Sequence, residues 1–290
     1  MRALLAILAF AVYFAIAPAS DAGWPSSGRV YPPSGGGVAC SQATTFLART
    51  SGLSGTQTSA YTALICGMVT DGTWSVMDGL YVFATASTAT ANLNLVSTSY
   101  GLTQYGTVTF SANAGYTGDG ITGFFDTGFN PSTAGGHMAA NSASLGVCDL
   151  TYRVLDYSNE IAMGGYDGSD DSYILPGYTT SGGTYFFLNG STSVSASTNS
   201  RGSWAISTTS SLTGYVAQNG VTSSYSPTNS NVVTHNLYVS ALDYVGSAAY
   251  YSADQLAYTF FGGGLTSVQM TAIYNRLHTY LATVGAPSGC

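Results

Sequence analysis

The sequence predicts a mostly β fold: a two-sheet antiparallel β-sandwich with a C-terminal helix and a short helical region at its N-terminal side. Three observations predict it. The dipeptide Asn219-Gly220 separates two strand-like runs, 212–218 and 221–225, and Asn-Gly tolerates the positive φ values of a tight primed turn. Short apolar or alternating runs succeed one another from 93 to 261 without the helices that a parallel α/β sheet needs between its strands. One amphipathic segment, 265–284, then closes the pattern.

Taken in order, residues 1–22 read as a signal peptide. Met1-Arg2 supplies a short positive start, 3–17 is apolar, and Ser20-Asp21-Ala22 places small residues before Gly23. The run is short for a membrane span, and an uncleaved anchor is the alternative. Residues 23–38 form a linker with Pro25, Pro32, Pro33 and the run Gly35-Gly36-Gly37. A helical N-terminal segment, 39–79, is expected to pack on the sandwich. It holds a short helix at 41–48 and a longer one at 56–69, whose apolar face is Tyr61, Leu64, Ile65 and Met68 and which Asp71-Gly72 stops.

The sandwich is assigned to 80–290. After the apolar strand 80–84, strands are expected at 93–96, 107–111, 124–127, 143–155, 160–163 and 172–175. Others follow at 184–189, 192–196, 204–208, 236–242 and 256–261, with Asn189-Gly190 marking a second hairpin. The helix at 265–284 presents Met270, Ile273, Tyr274, Leu277, Leu281 and Val284 on one side, leaving Arg276 and His278 elsewhere. Both long helices begin alike, at Ser54-Gly55-Thr56-Gln57 and Thr266-Ser267-Val268-Gln269, each a capping box in which Ser or Thr and the Gln three residues on exchange hydrogen bonds with orphan N–H groups.

Composition restricts the surroundings. The 290 residues include 36 Gly, 22 Tyr, no Lys and a single Glu, with a net charge of -7 and only 7% charged residues, against roughly 25% in ordinary globular proteins. Six scattered Arg and a negative field exclude nucleic acid as a partner. Cys40, Cys66, Cys148 and Cys290 make an even number, as disulfides in an oxidising compartment require. Cys290 is the last residue, so the expected pairing locks it to Cys40 and leaves Cys66 with Cys148, with reduced thiols as the alternative.

The run Ser203-Trp204-Ala205-Ile206-Ser207, the core Tyr215-Val216-x-x-Asn219-Gly220-Val221, the strand 236–242, and the passage from 256 into Gly264-Leu265-Thr266 and the terminal helix resemble concanavalin A-like or laminin G-like jelly-roll domains of bacterial or phage type. The resemblance spans about 81–284. It implies a sandwich and, often, recognition of glycans or surfaces; it does not imply hydrolysis. The compact Asp, Asn and Asp loop of calcium-dependent lectins is missing.

Catalytic sets are also missing. Glu160 is the one Glu, and its pairing with Asp156 has no glycosidase pattern. His137, His235 and His278 accompany no nucleophile motif. Two loops attract attention instead. Asp167-Gly168-Ser169-Asp170-Asp171 can wrap a hard cation such as calcium, although alone it offers too few oxygens, and a solvated acidic turn is the other reading. Tyrosines flank it and recur nearby: Tyr166 and Tyr173 beside the acidic loop, Tyr244 and Tyr250 in a later one. Rigid aromatic faces with a hydroxyl suit sugar rings and protein surfaces alike. The candidate ligand set is therefore Tyr166, Asp167, Asp170, Asp171, Tyr173, Tyr244 and Tyr250, with Asp167, Asp170 and Asp171 as the metal ligands. The expected function is a secreted, non-catalytic module that binds carbohydrate or a surface protein. The alternative is a self-assembling structural part of a virion, phage tail or cell surface. Asn189-Gly190-Ser191 also fits the N-glycosylation pattern.

Overall fold

A computed structural model describes residues 39–154, 159–178, 183–228 and 231–290. The expected signal peptide and linker lie outside the described residues, as does Asp156. In chain order the chain forms α1 (Ser41–Leu47), α2 (Gly55–Thr70), a 3-10 turn, β1 (Met77–Val82), α3 (Thr88–Ala91), β2 (Thr103–Tyr105) and β3 (Val108–Ser111). There follow β4 (Gly115–Gly118), β5 (Phe124–Asp126), β6 (Ala143–Asp149), β7 (Met163–Tyr166), β8 (Asp171–Tyr178), β9 (Gly183–Leu188) and β10 (Ser191–Ala196). The remainder is β11 (Gly202–Ser210), β12 (Thr213–Gln218), β13 (Val221–Tyr225), β14 (Tyr238–Val239), β15 (Leu242–Tyr244), β16 (Ser247–Ala249), β17 (Gln255–Gly262) and α4 (Ser267–Val284).

These strands make two facing sheets, as expected of a β-sandwich. The first runs β13-β12-β11-β6-β17-β4-β3, with β1 also on β17; the second runs β10-β9-β8-β7-β14-β5-β2, with β15 on β7 and β16 on β15. Pairing is antiparallel except between β15 and β7. Both Asn-Gly hairpins form. Asn219 and Gly220 have φ of 49° and 78°, and Asn189 and Gly190 have 51° and 78°, the signs a type I′ turn demands at both central positions.

Alternation along β6 between two cores explains why this strand is buried at every position. Leu145 and Val147 face the second sheet, in a core with Trp204, Ile206, Ile174, Phe186 and Phe261. Cys148, with Ala205, Ala217, Tyr258 and Phe260 from neighbouring strands, faces the other way, into a second core with the helices. That core takes Tyr61, Leu64, Ile65 and Met68 from α2 and Met270, Ile273, Leu277 and Leu281 from α4. Tyr280 is buried as well and Tyr274 only half-buried, so the apolar stripe of α4 lies slightly round from the expected one. Arg276 turns aside to an ion pair with Asp71 at 2.8 Å, and His278 is exposed.

Several expectations are corrected. The disulfides join Cys40 to Cys66 and Cys148 to Cys290, not Cys40 to Cys290 and Cys66 to Cys148. Cys40 caps α1, whose chain folds back along α2, bringing the Cα of Cys40 to 5.6 Å from that of Cys66. Cys148 lies on the helix-facing side of β6, where the chain leaving α4 arrives at a Cα separation of 5.9 Å. Residues 93–96 form no strand, because the Asn94 side chain makes the hydrogen bonds a partner strand would make: Oδ1 accepts from the N–H of Leu80 and Val96, and Nδ2 donates to Asp78 O. The strand expected at 143–155 ends at Asp149, and that expected at 160–163 is displaced to Met163–Tyr166. Asn189 is fully buried and its amide donates to the carbonyls of Ala139 and Ala140, so the folded chain does not offer it as a glycosylation acceptor.

Candidate functional site

The outward face of the second sheet carries the candidate site. On β8, Ser172 and Ile174 point into the core, while Asp171, Tyr173 and Leu175 point out, as period-2 alternation requires. Register brings the aromatic groups together. Tyr166 on β7 stands opposite Asp171 on β8, and the parallel pairing of β15 with β7 places Tyr244 on the other side of Tyr166. Tyr244, Tyr166 and Asp171 therefore form one row across three strands. Gly164 lets β8 approach closely: its φ is 150°, and a Cβ there would lie 2.2 Å from that of Tyr173.

Tyr166 and Tyr244 have ring centroids 5.2 Å apart, and Tyr250 meets Tyr244 edge to face at 5.8 Å. Tyr244 and Tyr250 are each 44% exposed. With Tyr173 they wall a cleft of about 310 Å³, which Asp171 enters. Ile161, Leu175 and Leu242 supply an apolar floor, and Asn159 lies at the margin. The aromatic surface continues beyond the cleft: Tyr173 stacks on Phe187 at 4.2 Å, and Tyr178 meets Tyr185 at 5.5 Å.

Five of the seven candidate residues, Tyr166, Asp171, Tyr173, Tyr244 and Tyr250, thus line one cleft. Tyr244 closes strand β15 and does not sit in a loop. Asp167 and Asp170 are directed elsewhere. Asp167 Oδ1 accepts from the N–H of Ser169 and Asp170, and its Oδ2 accepts from the N–H and hydroxyl of Thr234. These hydrogen bonds, against an opposing effect of burial, hold its carboxyl below the usual range. Asp170 is buried and accepts from Asn231 N–H at 3.1 Å. The two carboxylates tie the acidic turn to 231–234. The three acids do not converge, and among the described residues no group of three His, Cys, Asp or Glu side chains is arranged to hold a metal ion.

Asp171 differs from both. Its Oδ1 is shielded from solvent and accepts no hydrogen bond from a described residue. Burial pushes its carboxyl up to about 6 and the charges of Asp170 and Asp167 push the same way, while the backbone N–H groups of Gly190 and of Asp171 itself act against them. The Tyr173 hydroxyl is raised too, first by burial and then by the charge of Asp171. Two residues beside the cleft occupy the left-handed region, Val245 at φ 53° and Tyr250 at 54°, a conformation uncommon for side chains of this bulk. The carbonyl of Tyr250 is held by Ile161 N–H at 3.0 Å and that of Tyr166 by Val245 N–H at 2.8 Å.

Sequence reasoning missed the floor of the cleft. Leu175 was within reach of it, since it shares the outward phase of Asp171 and Tyr173. Leu242 and Ile161 carry no such signal, because a short run of mixed residues gives no phase.

No protein-family model matches the sequence, and no curated protein does. Among solved structures, domain 4 of a GH43 extracellular arabinanase from Geobacillus stearothermophilus, in complex with arabinotriose, superposes with a TM-score of 0.48 at 12% identity, covering 68% of this chain and 98% of that one. A Trypanosoma rangeli sialidase in complex with the inhibitor DANA gives 0.44 at 11% identity, covering 68% of this chain and 32% of the sialidase. The binding domain of botulinum neurotoxin serotype D gives 0.45 at 8% identity, covering 69% of this chain and 52% of that one. The chain therefore spans about a third of the sialidase and half of the toxin fragment.

Proposed function

We propose that the chain is an exported, non-catalytic recognition module that binds carbohydrate in the cleft of Tyr166, Tyr173, Tyr244 and Tyr250. The observation that carries this reading is the cleft itself: three tyrosines set by strand register, and Tyr250 just beyond β16, around one carboxylate, with two of the rings 44% exposed. Aromatic faces bury the C–H faces of a sugar ring, and hydroxyls and a carboxylate bond to its O–H groups, so the lining is of the kind carbohydrate needs. Rings fixed by backbone register also lose little entropy on binding. Two disulfides support an oxidising, extracellular setting. A concanavalin A-like or laminin G-like ancestry fits this reading and belongs to the proposal.

The test is a glycan array probed with the chain, with and without calcium, followed by titration of the best glycan. Glycan binding is expected without a calcium requirement, with Tyr250→Ala and Tyr244→Ala each weakening it by about tenfold. An array on which nothing binds would sink the reading, as would variants that bind like the parent. Concentration-dependent assembly in the absence of any glycan binding would favour a structural part of a surface or virion assembly instead.

A further inference from the structure

We propose that the glycan this cleft takes carries a free, unacetylated amino group, held as an ammonium by Asp171 between the tyrosine walls. The inference rests on the carbohydrate reading above and names the substrate class of the same site. It starts from Asp171, which lines the cleft; nearby backbone N–H groups of Gly190 and of Asp171 itself offset only part of the burial of its carboxyl, and its Oδ1 lies within no described donor's hydrogen-bond geometry. A carboxylate in that setting is stabilised most by a positively charged donor brought close to it, since hydrogen bonds between charged groups are the stronger kind.

The described part of the chain keeps its own cations elsewhere. There is no Lys in the sequence. Arg49 donates to the carbonyls of Asn94, Leu95 and Ser97, Arg153 pairs with Asp254, Arg201 lies over Tyr152, and Arg276 pairs with Asp71. His235 stands beside Gly246 and interacts with Asp243, whose side chain alternates to the face of β15 opposite Tyr244. The charges that do surround Asp171 are those of Asp167 and Asp170, which add negative potential.

The walls point the same way. Ring faces carry negative quadrupole density and attract a cation placed over them. Tyr166, Tyr244 and Tyr250 stand with neighbouring centroids 5.2 and 5.8 Å apart and line the same cleft as Asp171, so an ammonium bound there lies among aromatic rings. A neutral sugar can donate hydroxyls to Asp171 but leaves its charge uncompensated, and an acidic sugar is repelled. A volume of about 310 Å³ lies at the small end of ligand sites, suited to one ring of a larger chain.

The test compares three tetrasaccharides by calorimetry on the full chain: one of glucosamine, its fully N-acetylated counterpart, and one of glucose. The glucosamine oligomer is expected to bind tighter than either of the others by about tenfold or more. Asp171→Asn should abolish that preference while Tyr250→Ala weakens all binding. On the unmodified chain, NMR titration of the Asp171 carboxyl, with Tyr166, Tyr173, Tyr250, Asp167 and Asp170 as the surrounding titratable groups, should show a lower pKa once the glucosamine oligomer is bound. Equal affinity for the three oligomers, a preference that survives Asp171→Asn, or an unmoved Asp171 titration overturns the proposal and leaves the carbohydrate reading standing. Binding of tetramethylammonium with no oligosaccharide bound, or no binding at all, overturns both.

Discussion

Asp171 stands where two requirements conflict. The backbone of β8 must continue the sheet through this position, yet its outward side chain is pressed among tyrosines where Oδ1 is shielded from solvent and backbone N–H groups offset only part of the cost. Its carboxyl binds a proton more tightly in the folded chain, at about 6, than in an unfolded one, at roughly 3.9. The sign of the linkage follows: Asp171 favours folding most below the unfolded pKa, and that contribution is lost as pH rises through about 6. Stability measured by urea unfolding between pH 4 and 7 should therefore fall less steeply in Asp171→Asn than in the parent, and identical profiles would refute the assignment. Asp119 shows the opposite solution: its Oδ1 accepts from Ile121, Thr122 and Gly123 N–H, and these bonds with the Thr122 hydroxyl hold its carboxyl below the usual range. The glycines on either side of Asp119 favour such a local turn, in which Asp bonds to its own neighbouring backbone. Nothing in the composition of 167–171 distinguishes Asp171 from Asp167 and Asp170, because the difference lies in what 231–234 and β15 bring to them.

Elements closed by local chemistry were legible, and those closed by distant partners were not. Ser54 with Gln57 and Thr266 with Gln269 form both reciprocal bonds of a capping box, and Gly285 ends α4 at φ 71°. Thr266→Ala should therefore lower stability by about 1 kcal/mol, a loss readable as a lower urea midpoint at unchanged slope. The β15–β16 hairpin was hidden by its turn, Val245-Gly246, with φ of 53° and 81°. Both values belong to a type I′ turn, where Asn-Gly is the familiar signal and a β-branched residue is strained. Val245 is 51% exposed and buries little there, so Val245→Asn should stabilise the chain by on the order of 1 kcal/mol. A melting temperature unchanged or lowered in that variant would show that the strain is offset by packing. The same hairpin delivers Tyr244 to Tyr166 through the parallel pairing of β15 with β7, the one such pairing among the described residues. That contact joins segments whose separation in sequence gives no pattern, which is why the tyrosines could be nominated by type while their common cleft could not be drawn.

At the scale of the whole molecule, the two disulfides restrain chain segments of very different length. Cys40–Cys66 spans 26 residues and ties α1 to α2, whereas Cys148–Cys290 spans 142 and ties the central strand β6 to the chain beyond α4. Loop-closure entropy in the unfolded chain then gives about 3.5 kcal/mol for the shorter loop and about 5 kcal/mol for the longer. The native contacts around them differ in the same sense. Cys148 and Cys290 are buried in the core shared by β6, β17 and the helices, with Cys290 close to Leu150 and Asp149 through the same strand end, while Cys40 and Cys66 lie at its partly exposed margin. Paired Cys→Ala replacement of Cys148 and Cys290 should consequently lower the urea midpoint more than replacement of Cys40 and Cys66. The packing of α4 through Met270, Ile273 and Leu277 does not depend on the bond, so far-ultraviolet circular dichroism should remain that of the parent below the midpoint. The tyrosine cleft lies on the opposite face of the sandwich from both disulfides, so ligand affinity should be unchanged in either variant while stability falls. Equal midpoints in the two double variants would mean that the unfolded chain retains enough structure to cancel the difference in loop length.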